Sequence, residues 1–240
     1  MLPADLRAAE AQALEALQAA LAAEAAGRWT VEWRFEGLRL LPVALRLARA
    51  LRERGIALEL LFGDAGATAL ARRDAPDLAD AIASFGDCLR RSTAAAAEAD
   101  GAPAEATPPA VLLLVGATPA EYEVVEPLCR GHRGPVVLLN GTLEDAAVGI
   151  GAVARERRRG FLSGWQSAYA LLPQADSTLR RAFPGPWELY RLDPDGYRPC
   201  ARFEQKPDAE EQALALAGGE GLGLGGQMKV LDQFLEGLRQ

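Results

Sequence analysis

A chain of 240 residues, half of them hydrophobic and a quarter charged, has the balance of a folded domain with one sizeable core. Its net charge of -7 argues against general nucleic-acid binding, which wants a basic face. No run approaches the roughly 18 apolar residues that span a bilayer, and the N-terminus lacks the basic-then-apolar order of a secretory signal.

Residues Pro3 to Ala26 are strong helix formers, with Pro3 suited to a first turn and Gly27 to a stop. Leu6, Leu14, Leu17 and Leu21 lie near one face, which predicts a cover helix packed through leucines. Trp29 to Glu36 alternates with period two, so a strand is expected. Its polar face places that strand near an edge or under a wet cleft. Helical periodicity over Leu38 to Arg54 and a strand over Ile56 to Phe62 complete a β-α-β unit. A helical stretch over Ala67 to Arg91, interrupted near Pro76, precedes Ser92 to Pro109, whose composition predicts a disordered surface loop.

Ala110–Val115 and Pro135–Leu139 read as two further strands around a helix from Glu121 to Cys129. Trp165 to Leu171 alternates as a strand, and Ser177 to Phe183 reads as a short helix. Trp187–Leu192 and Tyr197–Glu204 flank Asp193-Pro194-Asp195-Gly196, where Pro presets φ and Gly accepts a positive one, so an antiparallel hairpin is expected. Asp208–Ala217 predicts a helix, Gly218 to Gly226 a tether, and Met228–Leu238 an amphipathic helix carrying Phe234. The predicted architecture is α/β: a mostly parallel Rossmann-like sheet flanked by helices, with an N-terminal cover helix and a C-terminal hairpin. One domain over residues 1–207 and a helical tail over 208–240 are expected.

Ligand sites in such sheets gather where strands end and helices begin. Gly63-Asp64-Ala65-Gly66 offers Asp64 and Gly66, with Asp64 meeting a ribose hydroxyl or capping the next helix. Gly116-Ala117-Thr118 offers Thr118. Asn140-Gly141-Thr142 offers an amide and a hydroxyl beside free helix-start amides, although Asn140 also suits a left-handed turn and Thr142 a cap. No Walker-type loop is present, and the glycines from Gly218 to Gly223 follow a helix rather than a strand. Glu32 and Glu36 sit four apart on a strand, about 13 Å, too far to share one ion. They are expected to be solvated or paired with neighbours such as Arg34. His132, the only histidine, sits in a basic turn and is expected at the surface.

Cys88, Cys129 and Cys200 lack metal-ligand spacing and suggest no disulfide framework, so no metal or cofactor is expected and a reducing compartment fits best. Arg155-Glu156-Arg157-Arg158-Arg159 is the densest basic segment, with Arg157, Arg158 and Arg159 a candidate contact for phosphate or an anionic membrane. A helix end with cations favoured by the dipole accounts for it equally well.

The helix opening at Pro3, the Val31-Glu32 strand, Leu61-Phe62-Gly63-Asp64 and Val136-Val137-Leu138-Leu139-Asn140 form a recognisable order, continued by Tyr169-Ala170-Leu171 and Trp187-Glu188-Leu189-Tyr190. Over about residues 3 to 205 the chain resembles the domain of unknown function 1995 family of cyanobacteria and plastids. That resemblance implies a non-catalytic accessory or assembly role with photosystem II, since the family includes a plant low-photosystem-II-accumulation factor. It implies a cytoplasmic place peripheral to the thylakoid membrane. Plastid members joined to an adenylate kinase imply instead a nucleotide- or phosphometabolite-binding enzyme or sensor using the strand-end turns.

Overall fold

The computed structural model describes residues 1–98, 109–147 and 151–218, which form two compact units. The first unit comprises Met1–Pro173 and Arg180–Gly185. Its strands are β1 (Arg28–Trp33), β2 (Leu58–Phe62), β3 (Ile82–Ser84), β4 (Val111–Val115), β5 (Val136–Leu139) and β6 (Gln166–Pro173). They lie in the order β3-β2-β4-β5-β1-β6, each neighbouring pair parallel. The helices are α1 (Leu6–Ala23), α2 (Leu40–Glu53), α3 (Ala65–Asp74), α4 (Phe85–Glu98), α5 (Tyr122–Gly131) and α6 (Ala152–Arg159).

A right-handed crossover decides which face each helix covers. Connections moving one way along the sheet carry α2 and α3, which with α1 bury Trp29, Val31, Trp33, Leu60 and Leu113 in a first core layer. Connections moving the other way carry α4 and α5, which bury Leu61, Leu112, Leu114 and Leu138 in a second. Central strands covered on both faces read as continuous apolar runs, and all five residues of β4 and four of β5 are buried.

Several expectations change. The first strand is not at an edge: β1 lies between β5 and β6, and it ends at Trp33 rather than Glu36. The cover helix packs through Ala9, Ala13, Ala16 and Ala20 as well as the expected Leu17, with Leu14 and Leu21 partly buried against the same core, while Leu6 stays 37% exposed. Small alanine side chains let the helix backbone approach the sheet, where a row of leucines would hold it off. The helical stretch expected over Ala67–Arg91 breaks near Pro76 as expected, into α3, a 3-10 turn at Pro76–Leu78 and α4, but the strand β3 lies within it as well. Three residues are too few for periodicity to reveal β3. Residues 92–98, expected in a loop, continue α4. Ser177 to Phe183, expected as a helix, forms strand β7 (Ser177–Ala182). Backbone pairing to a sheet outweighs the propensity of so short a segment.

The second unit comprises Gln174–Leu179 and the chain from Pro186 onward. There β8 (Trp187–Asp193) and β9 (Gly196–Phe203) form the expected hairpin, pairing Trp187 with Phe203 through to Asp193 with Gly196. Gly196 takes φ +126, as its turn position demands. Helix α7 (Ala209–Leu216) opens on a capping box of Asp208 and Glu211, and the Cys200 thiol meets the Ala215 carbonyl at 3.0 Å. Most of the expected tether, and the Met228–Leu238 helix with Phe234, lie outside the described residues.

Gly27 illustrates how tightly the first layer closes. A Cβ there would stand 2.3 Å from Trp29 Nε1, and Trp29 is 1% exposed with its ring edge-on to Phe183 at 5.1 Å. Gly27→Ala is expected to destabilise by about 2 kcal/mol through overpacking, read as a lower urea midpoint with an unchanged slope.

Candidate functional site

In a doubly wound sheet, crevices open where neighbouring strands send their connections to opposite faces. Besides the one at the sheet's edge, between β3, followed by α4, and β2, followed by α3, two such places exist here. One lies between β2, followed by α3, and β4, followed by α5. The other lies between β5 and β1. The candidate residues gather at these strand ends, Asp64 and Gly66 after β2, Thr118 after β4, Asn140 and Thr142 after β5, and the chain spends most of their polar groups on itself.

At the first crevice Asp64 caps α3, its Oδ1 accepting from the Ala67 amide at 2.8 Å. A Cβ on Gly66 would lie 3.0 Å from that same Oδ1, so a residue without one fits there. Glu121 accepts from the Thr118 amide at 2.7 Å and also from the Thr118 hydroxyl. Its Oε1 would lie 3.1 Å from a Cβ on Gly63, which places this carboxylate over the end of β2. Glu121 was missed among the candidates, yet Thr118-Pro119-Ala120-Glu121 has the spacing of a capping box.

At the second crevice Asn140 takes φ +50, and its side chain bridges strands. Oδ1 accepts from the Trp33 amide and Nδ2 donates to the Trp33 carbonyl, both at 2.7 Å. The Thr142 amide donates to the Ala117 carbonyl at 2.8 Å, while its carbonyl accepts from Asp145. Beside them Arg34 Nη2 reaches Glu32 Oε1 and the Gly141 carbonyl, each at 2.8 Å, with Glu144 at 4.0 Å. Glu32, expected to be solvated or paired with an Arg34-type neighbour, is 9% exposed and paired, the partner being Arg34 two residues along its own chain rather than a residue across strands. Glu36 lies beyond the strand.

His132 is half-buried rather than a surface group. Its Nε2 lies 2.8 Å from the Ala110 carbonyl and must carry a proton to donate there. Burial chiefly, with Arg28 adding repulsion, holds its pKa below the ordinary 6.5. The folded state therefore favours the neutral ring. The stability this confers is complete above pH 6.5 and is lost as pH falls through the folded value. Urea midpoints measured between pH 7.5 and pH 5 check this, and His132→Gln is expected to flatten that part of the profile.

Burial first, with Glu59 adding to it, pushes the Cys88 thiol up to about 11, and burial pushes Cys129 up to about 12. Both are inert thiols at neutral pH. Among the described residues no group of three or more His, Cys, Asp and Glu is placed to hold a metal ion. A groove of about 290 Å³ lies between α1 and α2, lined by Arg7, Leu14, Arg46 and Leu47 among others, away from the strand ends.

The basic segment divides in two. Arg157 lies 4.2 Å over the Tyr122 ring, pairs with Glu123 and donates to the Ala146 carbonyl at 3.0 Å. Arg158 donates to the Ala147 carbonyl. These two fasten α6 to the preceding 3-10 turn, Leu143–Ala147. Arg155 and Arg159, four apart on α6, are exposed and make no ion pair among the described residues.

A mostly parallel sheet with helices on both faces, its strand-end turns capped by the chain's own side chains, defines a mixed α/β protein of doubly wound type. The chain belongs to the family described as domain of unknown function (DUF1995), whose model matches residues 3–214. No curated protein matches it. Among the described residues no helix is long and apolar enough to cross a membrane.

Proposed function

We propose that this protein is a non-catalytic accessory factor acting with photosystem II subunits or their assembly intermediates at the thylakoid surface. The observation that carries the non-catalytic part is the self-capping of the first crevice. Nucleotide-binding sheets hold phosphate on free amides at helix starts. Here Asp64 and Glu121 occupy such amides, so a phosphate would meet two carboxylates. The partner class rests on family likeness to the low-photosystem-II-accumulation factor. Exposed Arg155 and Arg159 offer an anionic surface about 1 kcal/mol each, whereas Arg157 and Arg158 are committed to the fold.

Co-purification from a photosynthetic host tests this reading. Photosystem II subunits should accompany the tagged chain, and Arg155→Glu with Arg159→Glu should lower their recovery. Deleting 228–240 tests whether the tail with Phe234 is a second contact. Recovery of no photosystem subunit would defeat the proposal. The ligand-binding alternative predicts thermal stabilisation by nucleotides or sugar phosphates, abolished by Asp64→Ala.

A further inference from the structure

Helix α1 leaves one face to solvent, and that face is self-complementary in charge. Arg7, Ala11 and Glu15 recur at every fourth residue, so they form one exposed line along the helix. Arg7 and Glu15 stand about 12 Å apart along its axis, too far to pair within one copy. Arg7 makes no hydrogen bond or ion pair among the described residues. The Glu15 side chain, 72% exposed, meets Arg54 through Oε1 at 3.0 Å and keeps Oε2 free to accept. Glu10, between them, is already committed, since Arg46 donates to its two oxygens at 2.9 and 2.6 Å.

Between the two charges the surface is apolar and concave. Ala11, Leu14, Leu47 and Ala50 line the groove of about 290 Å³ between α1 and α2. The alanines make the depression, because their side chains are too short to fill the space where two helices meet. Another helix can therefore approach closely over Ala11.

We infer that this face joins two copies of the chain, α1 against α1 in antiparallel sense about a two-fold axis at Ala11. In such an isologous contact each residue on one side of the axis meets its counterpart on the other. Glu15, four residues after Ala11, then meets the partner's Arg7, four residues before it, and the ion pair forms twice. A parallel approach would set Arg7 against Arg7 and Glu15 against Glu15. A ligand or surface of one sign would meet one charge and be repelled by the other. Two short helix faces make a small interface, so the dimer is expected to be weak, with a Kd on the order of 10–100 µM. Helix α1 packs on the first core layer, whereas Arg157 of α6 packs on Tyr122 in the second. Pairing through α1 therefore leaves the Arg155 and Arg159 surface open, and the two readings fail independently.

Sedimentation velocity of the full chain over roughly a hundredfold range of concentration tests this. The sedimentation coefficient should rise with concentration toward that of a dimer, and rise less at high salt. Arg7→Glu and Glu15→Arg each set like charges together twice per dimer and should weaken association at least about tenfold. An equimolar mixture of the two variants should recover it, since every facing pair is then opposite in sign. Ala11→Gln, at an exposed position, should keep the wild-type melting temperature and abolish association. The inference is overturned if the full chain stays monomeric throughout, if folded Arg7→Glu associates as wild type, or if the mixture does not recover. Association that survives these variants and is lost on deleting 228–240 would place the contact on the tail and overturn it too.

Discussion

Asn140→Ala is expected to destabilise the protein by about 3 kcal/mol. Two contributions combine. The side chain makes two 2.7 Å hydrogen bonds to the backbone of Trp33, and its own backbone sits at φ +50, where alanine is strained. Asn140→Gly separates them: it relieves the backbone and loses only the bridge, so it should cost about 2 kcal/mol. Asn140→Asp keeps an acceptor for the Trp33 amide but sets a carboxylate against the Trp33 carbonyl, and should be no better than alanine. Urea unfolding of the three variants checks the order. If Asn140→Gly matched wild type, the bridge would contribute nothing and Asn140 would be only a turn residue.

Arg28→Leu is the second large effect, expected at about 3–4 kcal/mol. The Arg28 guanidinium lies at the opposite end of β1 and has no carboxylate partner among the described residues. Its Nη1 reaches the carbonyls of Ala26 at 2.7 Å and Gly134 at 2.9 Å. Its Nη2 reaches those of Cys129 at 2.7 Å and His132 at 3.0 Å. Two of these carbonyls close the C-terminal end of α5, where the helix dipole favours a cation. Leucine keeps much of the apolar stem and strips the donors, leaving carbonyls that the packed loop hydrates poorly. Arg28→Lys supplies one point of donors in place of a planar fork and should recover about half the loss. Hydrogen exchange of the 129–136 amides should speed in Arg28→Leu ahead of global unfolding, because the charge fastens that turn to β1. Uniform acceleration across the sheet would argue against a local clasp.

The parallel core was legible because its physics is local. Apolar runs such as Leu112–Val115 and Val136–Leu139 suit strands covered on both sides, and each leads into a turn and a helix. Asp193-Pro194-Asp195-Gly196 likewise announced its hairpin through backbone preferences of single residues. Asp64 as a cap and Asn140 as a left-handed residue were legible for the same reason. What Asn140 bonds was not, since Trp33 is 107 residues away in the chain.

The amino-acid order by itself determined the elements of the parallel core other than β3, the C-terminal hairpin, the strand-turn-helix rhythm and the chemistry available at each turn, because these depend on neighbours within a few residues. Only the tertiary structure decided that β1 is central, that Glu32 is nearly buried, and that β7 is a strand and not a helix. It also decided that Arg157 is held over Tyr122 while Arg155 and Arg159 face solvent. Burial and pairing are set by segments brought together across the chain, and no local pattern encodes which neighbour will arrive.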